Sequence, residues 1–132
     1  MIEAIEEIRR FYRELAPLEW SEGLGRAAGQ HVGDTGGLGM VGHRGTDGST
    51  SSVRIRRHGK ANGSGENISY GRSMAIDALM QLFIDDGTAS RGHRANLWND
   101  WYRMTGVAYG AHLKYGHMWC VVYTGEFDEK QP

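Results

Sequence analysis

Histidine and carboxylate are the side chains in this sequence whose types and spacing could do chemistry. In "DDGTASRGHRANLWND", residues 85–100, six residues separate Asp86 from His93. A neutral imidazole can ligate a metal or act as a general base, and a carboxylate beside it can orient the ring. Upstream, glycine-rich segments carry two further candidates. These are His43 in "GHRGTDGSTSSVR" and Glu66 in "NGSGENISYG", where Gly65 and Asn67 flank the acid. Glycine beside a charged residue permits tight turns and close approach. Each is a weak signal alone, because polar residues in such loops are usually solvated.

The elements that must position these groups follow from hydrophobic periodicity. Residues 73–86 read as a helix. At about 100° per residue, Ala75, Leu79, Leu82 and Phe83 share one arc. Asp86 falls near its middle, Asp85 on its flank, and Asp77 and Gln81 opposite. A carboxylate centred on an apolar face needs a partner, because burying it unpaired is costly. In the alternative, the helix ends at Asp85, Gly87 caps it and Asp86 bends into water. A short helix over 91–98, capped by Ser90, puts His93 in its first turn, where the positive helix end favours a neutral ring.

Residues 2–15 predict an amphipathic helix with Ala4, Ile5, Ile8, Phe11, Tyr12 and Leu15 on one face, stopped by Pro17. Ser21 is a candidate N-cap for a second helix with the stripe Leu24, Ala27, Ala28, His31 and Val32. Gly33–Gly71 shows no periodicity and is too long for an idle connection. "TGVAYGAHL" and "HMWCVVYTG" read as a hairpin turning at "KYG". This order implies helices packed on a small antiparallel sheet in one domain, residues 1–132.

Composition narrows the classes. Fifteen Lys and Arg against sixteen Asp and Glu leave no electrostatic footprint for nucleic acid or an anionic membrane. No run approaches the length of a membrane span, and the first residues lack the pattern of a secretion signal. Cys120 is a single cysteine and forms no internal disulfide.

Five ordered stretches carry a resemblance to the CAP superfamily, the SCP or pathogenesis-related-1-like domains. They are "PLEWSEGLGRAAGQHVGD", "GHRGTDGSTSSVRIRRHG", "GENISYG", "QLFIDDGTASRGHRANL" and "TGVAYG". The resemblance implies an α+β fold, a three-layer α-β-α sandwich, with a cleft lined by two histidines and two acids. Onto this chain it maps His43, Glu66, Asp86 and His93 as the cleft tetrad, with His43 and His93 as candidate metal ligands. Aspartate stands where plant and animal members usually have glutamate, the family's cysteine pairs are absent, and "RGHRANL" is similar to the bacterial and protist branches. The resemblance also implies export, with a signal lying outside the given chain; a cytoplasmic location stays open.

Two imidazoles and two carboxylates could hold zinc or another divalent cation, with the shorter aspartate orienting a ring from behind. The leading expectation is a module binding a divalent metal and a small or extended ligand, whether small molecule, peptide or lipid. The alternatives are a metal-assisted, peptidase-like hydrolase, or a structural interaction domain with a vestigial cleft. No serine or cysteine stands out as nucleophile, and Cys120 reads as core. "GLGMVG" lacks the βαβ context of a dinucleotide site, and "DDGTAS" lacks the alternating acids of a calcium loop. "RIRRHGK" reads as a solvated strand or loop, His31 as a core histidine, and His112 and His117 as surface groups beside the hairpin turn. The tryptophans read as core, with Trp98 and Trp101 as the cleft exceptions.

Overall fold

The computed structural model describes residues 1–11, 15–86 and 91–131. In chain order these form α1 (Ile2–Phe11), β1 (Glu19–Trp20), α2 (Glu22–Thr35), a 3-10 turn (Gly36–Leu38) and α3 (Ser51–Arg56). There follow β2 (Gly59–Ala61), β3 (Ser64–Tyr70), α4 (Ala75–Ile84), α5 (Gly92–Leu97), β4 (Met104–His112), β5 (Gly116–Thr124) and β6 (Phe127–Glu129). Among the described residues no helix is long and apolar enough to cross a membrane.

The main sheet has the order β1-β4-β5-β3, antiparallel except where β1 pairs parallel with β4. Its register decides what faces what. Glu66 lies opposite Val122, Ile68 opposite Cys120 and Tyr70 opposite Met118. These side chains share the face that packs on α2, where Leu24, Ala27, Ala28 and Val32 complete the core with Ile55 of α3. The alternate residues of β3, Asn67 and Ser69, point to the other layer, reaching α5 and α4 respectively. Helices on both faces of one sheet make the α-β-α sandwich. The α2 layer sits close: a Cβ at Gly106 would lie 2.1 Å from the Gly25 nitrogen.

Ser21 caps α2 as its sequence predicts, its Oγ accepting the Leu24 N–H at 3.2 Å. The hairpin is also as predicted, turning through residues 113–115 into Gly116 at φ 84°. The unpatterned stretch from Gly33 to Gly71 is not a loop. It contains α3, β2 and β3, whose short lengths leave too few turns for periodicity to register. "RIRRHGK" is correspondingly solvated only in part, at Arg56, Arg57 and Lys60. It spans the end of α3 and the start of β2, and Arg54 and Ile55 within it are buried.

Three further expectations are corrected. Helix α4 buries Ala78 and Leu82, while Leu79 is 48% exposed, so its inward face lies about a fifth of a turn from the predicted arc. His112 is buried, donating from Nε2 to the Met40 carbonyl at 2.8 Å and accepting the Lys114 and Tyr115 amides at Nδ1. It holds the hairpin turn from inside. Trp20 and Trp101 are exposed, against the expectation that tryptophans pack the core, and neither Trp98 nor Trp101 borders the cavities at His43 and His93. In α1, Ala4 is buried but Ile2 and Ile5 are exposed; predicted positions 12–14 lie outside the described residues, as does the Ser90 cap.

Candidate functional site

Glu66 sits mid-strand in β3 on the α2 face, which places a carboxylate in the core beside α3. Arg54, itself 2% exposed, answers it: Nη2 donates to Glu66 Oε2 at 2.8 Å. Its Nη1 donates to the carbonyls of His43 and Ser49 at 3.0 and 2.9 Å. One guanidinium therefore neutralises the acid and holds the backbone of its histidine. Helix α3 can present Arg54 because Thr50 caps it, accepting the Val53 N–H.

His43 completes this half. Its Nδ1 lies 2.8 Å from Glu66 Oε1. A carboxylate only accepts, so Nδ1 carries a proton, and in the neutral ring the lone pair is left on Nε2. The preceding residue, Gly42, adopts φ 103° and is gripped from two sides. Its N–H donates to the Tyr70 hydroxyl at 2.9 Å, and its carbonyl accepts from His31 Nε2 at 2.8 Å. His31 is fully buried, as its core position predicts, and burial pushes its pKa down. For Glu66, burial acts upward, but the His43 and Arg54 contacts outweigh it and hold the carboxyl below its ordinary value.

The second half is built at the end of α4. The helix stops because Asp85 turns left-handed at φ 52°, ψ 40°, a conformation aspartate tolerates better than most residues. The reversal rotates Asp85 inward to 5% exposure and leaves Asp86 exposed. Asp85 Oδ1 accepts from His93 Nδ1 at 2.9 Å, and Oδ2 accepts the backbone N–H groups of His93 and Arg94 at 2.9 and 3.3 Å. The acid facing His93 is thus Asp85, where the wheel and the family mapping point to Asp86. A helical wheel assumes the helix continues, and here it ends at Ile84, two residues earlier than the projection requires. Asp86 still borders the adjoining cavity.

Asn67 ties the halves together. Its Nδ2 donates to the His93 carbonyl at 3.0 Å, and its Oδ1 accepts from Asn96 Nδ2 at 2.9 Å. Asn96 donates as well to the Glu66 carbonyl. Arg54, Asp85, Asn67, Arg94 and Asn96 are the residues missed as site members. Asn67, adjacent to Glu66 in "GEN", and Asp85, on the flank of the predicted apolar arc, carried a sequence signal.

The two histidines border two cavities. One, of about 560 Å³, has Ile68, Leu82 and Ile84 as its apolar wall and Arg72, Gln81 and Asp86 among its polar groups. The other, of about 440 Å³, is bounded by Glu66, Gly92 and Asn96 besides the histidines. Among the described residues neither is bordered by Ser, Thr or Cys. Cys120 lies behind Glu66, its Sγ 3.3 Å from Oε2, and burial with the adjacent carboxylate pushes its thiol pKa up. It is held as a thiol in the core.

Solved structures share this fold, among them two bacterial surface or extracellular proteins. An extracellular protein containing an SCP domain from Bacillus anthracis superposes with a TM-score of 0.71 at 22% identity, covering 96% of this chain. This chain spans only 40% of that protein's length. An outer surface protein from Borrelia burgdorferi superposes with a TM-score of 0.66 at 16% identity, over 98% of this chain and 91% of the other. No curated protein matches the sequence. The model of the CAP family, the cysteine-rich secretory protein family, matches residues 2–123. With a match over nearly its whole length, the chain belongs to the CAP family.

Proposed function

We propose that this is an exported binding domain whose cleft holds a divalent cation, zinc or a similar ion, at the Nε2 atoms of His43 and His93. A small or extended ligand would lie against Ile68, Leu82 and Ile84. One observation carries the reading: both rings direct Nδ1 at a buried carboxylate, which leaves both Nε2 atoms as acceptors beside shared cavities. A carboxylate behind a metal-ligating imidazole fixes its tautomer and raises its basicity. Here Glu66 and Asp85 take that position for both rings. Among the described residues no three His, Cys, Asp or Glu side chains gather as a metal set. The protein would thus supply two nitrogens and leave other positions to water and ligand, so affinity is modest. A bound divalent ion would supply Lewis acidity there. Export rests on the extracellular and outer-surface character of the two neighbours.

The same ring orientation favours a second reading as a hydrolase. An imidazole oriented through Nδ1 by a carboxylate is placed to take a proton at Nε2. With no described Ser, Thr or Cys at the cavities, water would be the nucleophile.

Zinc calorimetry on metal-stripped protein tests the first reading. His43→Ala and His93→Ala should each remove most of the affinity, and His117→Ala, on the hairpin away from the cleft, should leave it unchanged. Affinity should fall on acidification, because only a neutral ring ligates. Binding that survives loss of both histidines refutes the site. Turnover of peptide or ester substrates that disappears in His93→Ala while binding persists would favour the hydrolase instead.

A further inference from the structure

The left-handed turn that aims Asp85 at His93 is held from behind by the N-terminal helix. The last carbonyls of a helix have no partner within it. At the end of α4 two arginines supply donors to three successive ones. Arg94 donates from Nε to the Phe83 carbonyl at 2.6 Å and from Nη2 to the Ile84 carbonyl. Arg91 donates from Nη1 to the Asp85 carbonyl at 3.1 Å. The Arg94 side chain is 1% exposed, and its remaining nitrogen, Nη1, meets Glu3 of α1 at 2.8 Å and Glu7 at 3.4 Å. Glu3 also receives Arg91, at 3.3 Å. A buried guanidinium with a fixed fork geometry is thereby shared between α1 and the turn.

We propose that Arg94 is a positioning residue for the Asp85–His93 pair, and that through Glu3 it makes the geometry of this pair depend on the docking of α1. Arg94 itself borders neither cavity. It acts by fixing the carbonyls of Phe83 and Ile84, and so the dihedral angles of the residue that follows them. Its own backbone N–H donates to Asp85 Oδ2, so the same residue constrains both ends of the turn. The His43–Glu66 pair is held by Arg54 of α3, and Arg94 makes no direct contact with it. The functional consequence rests on the cleft reading above; the geometric claim does not.

The test reads ring tautomers in uniformly 15N-labelled, metal-free protein by long-range 1H–15N correlation. In the wild type both His43 and His93 should show the proton on Nδ1. In Arg94→Lys one ammonium cannot reproduce the fork to both carbonyls and Glu3. His93 should lose its single-tautomer pattern, and His43 should keep its own. Glu3→Gln, at a largely exposed side chain, should move His93 in the same direction by less. A lowered melting temperature in Arg94→Lys with an unchanged His93 pattern would overturn the proposal and leave Arg94 a structural residue only. Should Arg94→Lys fail to fold, Glu3→Gln decides alone: a change confined to His93 supports the linkage, and no change overturns it. Failure of the wild type to bind zinc would refute the metal reading without touching this result.

Discussion

The two carboxylate–histidine pairs present the same atoms to the cleft, yet they are held by different physics. Glu66 lies within a strand, with its orientation dictated by sheet register and its charge met by a buried arginine at 2.8 Å. Asp85 lies just past a helix end, with its orientation dictated by a left-handed turn and its oxygens met by backbone N–H groups and an imidazole. The first pair stands on an ion pair in the core. The second stands on hydrogen bonds at a junction of α1, α4 and α5. The first should therefore fail through charge burial, the second through loosening.

Arg54→Met should give the largest effect. It strands the Glu66 charge in the core, and breaking one partner of a buried pair typically costs about 3–5 kcal/mol. Urea denaturation measures it. A loss under about 1 kcal/mol would mean that Glu66 finds water, and the contrast between the halves would dissolve.

Leu82→Ala comes next, at about 2–5 kcal/mol, because Leu82 is 4% exposed on the face of α4 that leads to Asp85. Leu79→Ala, at an exposed position, should stay within about 0.5 kcal/mol. Equal costs would restore the original helical wheel and turn Asp86 inward.

Within the second half, Asp85→Asn keeps a residue that tolerates the turn but replaces one of the two accepting oxygens by an amide donor, for a loss of about 1–3 kcal/mol. It should also reduce zinc affinity. Asp86→Asn should leave stability within about 0.5 kcal/mol. The reverse ranking would show that Asp86 is the partner of His93 after all.

Acid dependence separates the halves most finely. His31 and Glu66 both have folded pKa values below their unfolded ones. Each thus contributes stability that is complete above its unfolded pKa and lost as pH falls through its folded value. His31 should begin to act as pH drops below about 6.5, and Glu66 below about 4.5. Denaturation midpoints recorded from pH 7.5 to 4 should decline in His31→Gln less than in wild type over the upper part of that range. Parallel curves would mean that the buried ring stays solvated or finds a proton acceptor.

Much of this protein was legible locally. Helix α2 shows in sequence because a long stripe, a serine cap and one buried face coincide, and the hairpin because its alternation is interrupted only at a glycine turn. The tetrad was nearly legible for a different reason: His43, Glu66 and His93 sit in short stretches similar to those of a family. What resisted reading were the short elements. Six residues of α3 make fewer than two turns, so Arg54 looked like a solvated base.

The sequence by itself determined the class of fold, the family and three of the four groups at the cleft, because these depend on local pattern and residue type. Tertiary structure alone decided which of two adjacent aspartates faces inward, and which arginines stand behind the acids. A single left-handed residue redirects every side chain after it, and whether that turn is held depends on Arg94 and on Glu3, which lies 91 positions away in the chain. No pattern within the helix itself records a contact at that separation.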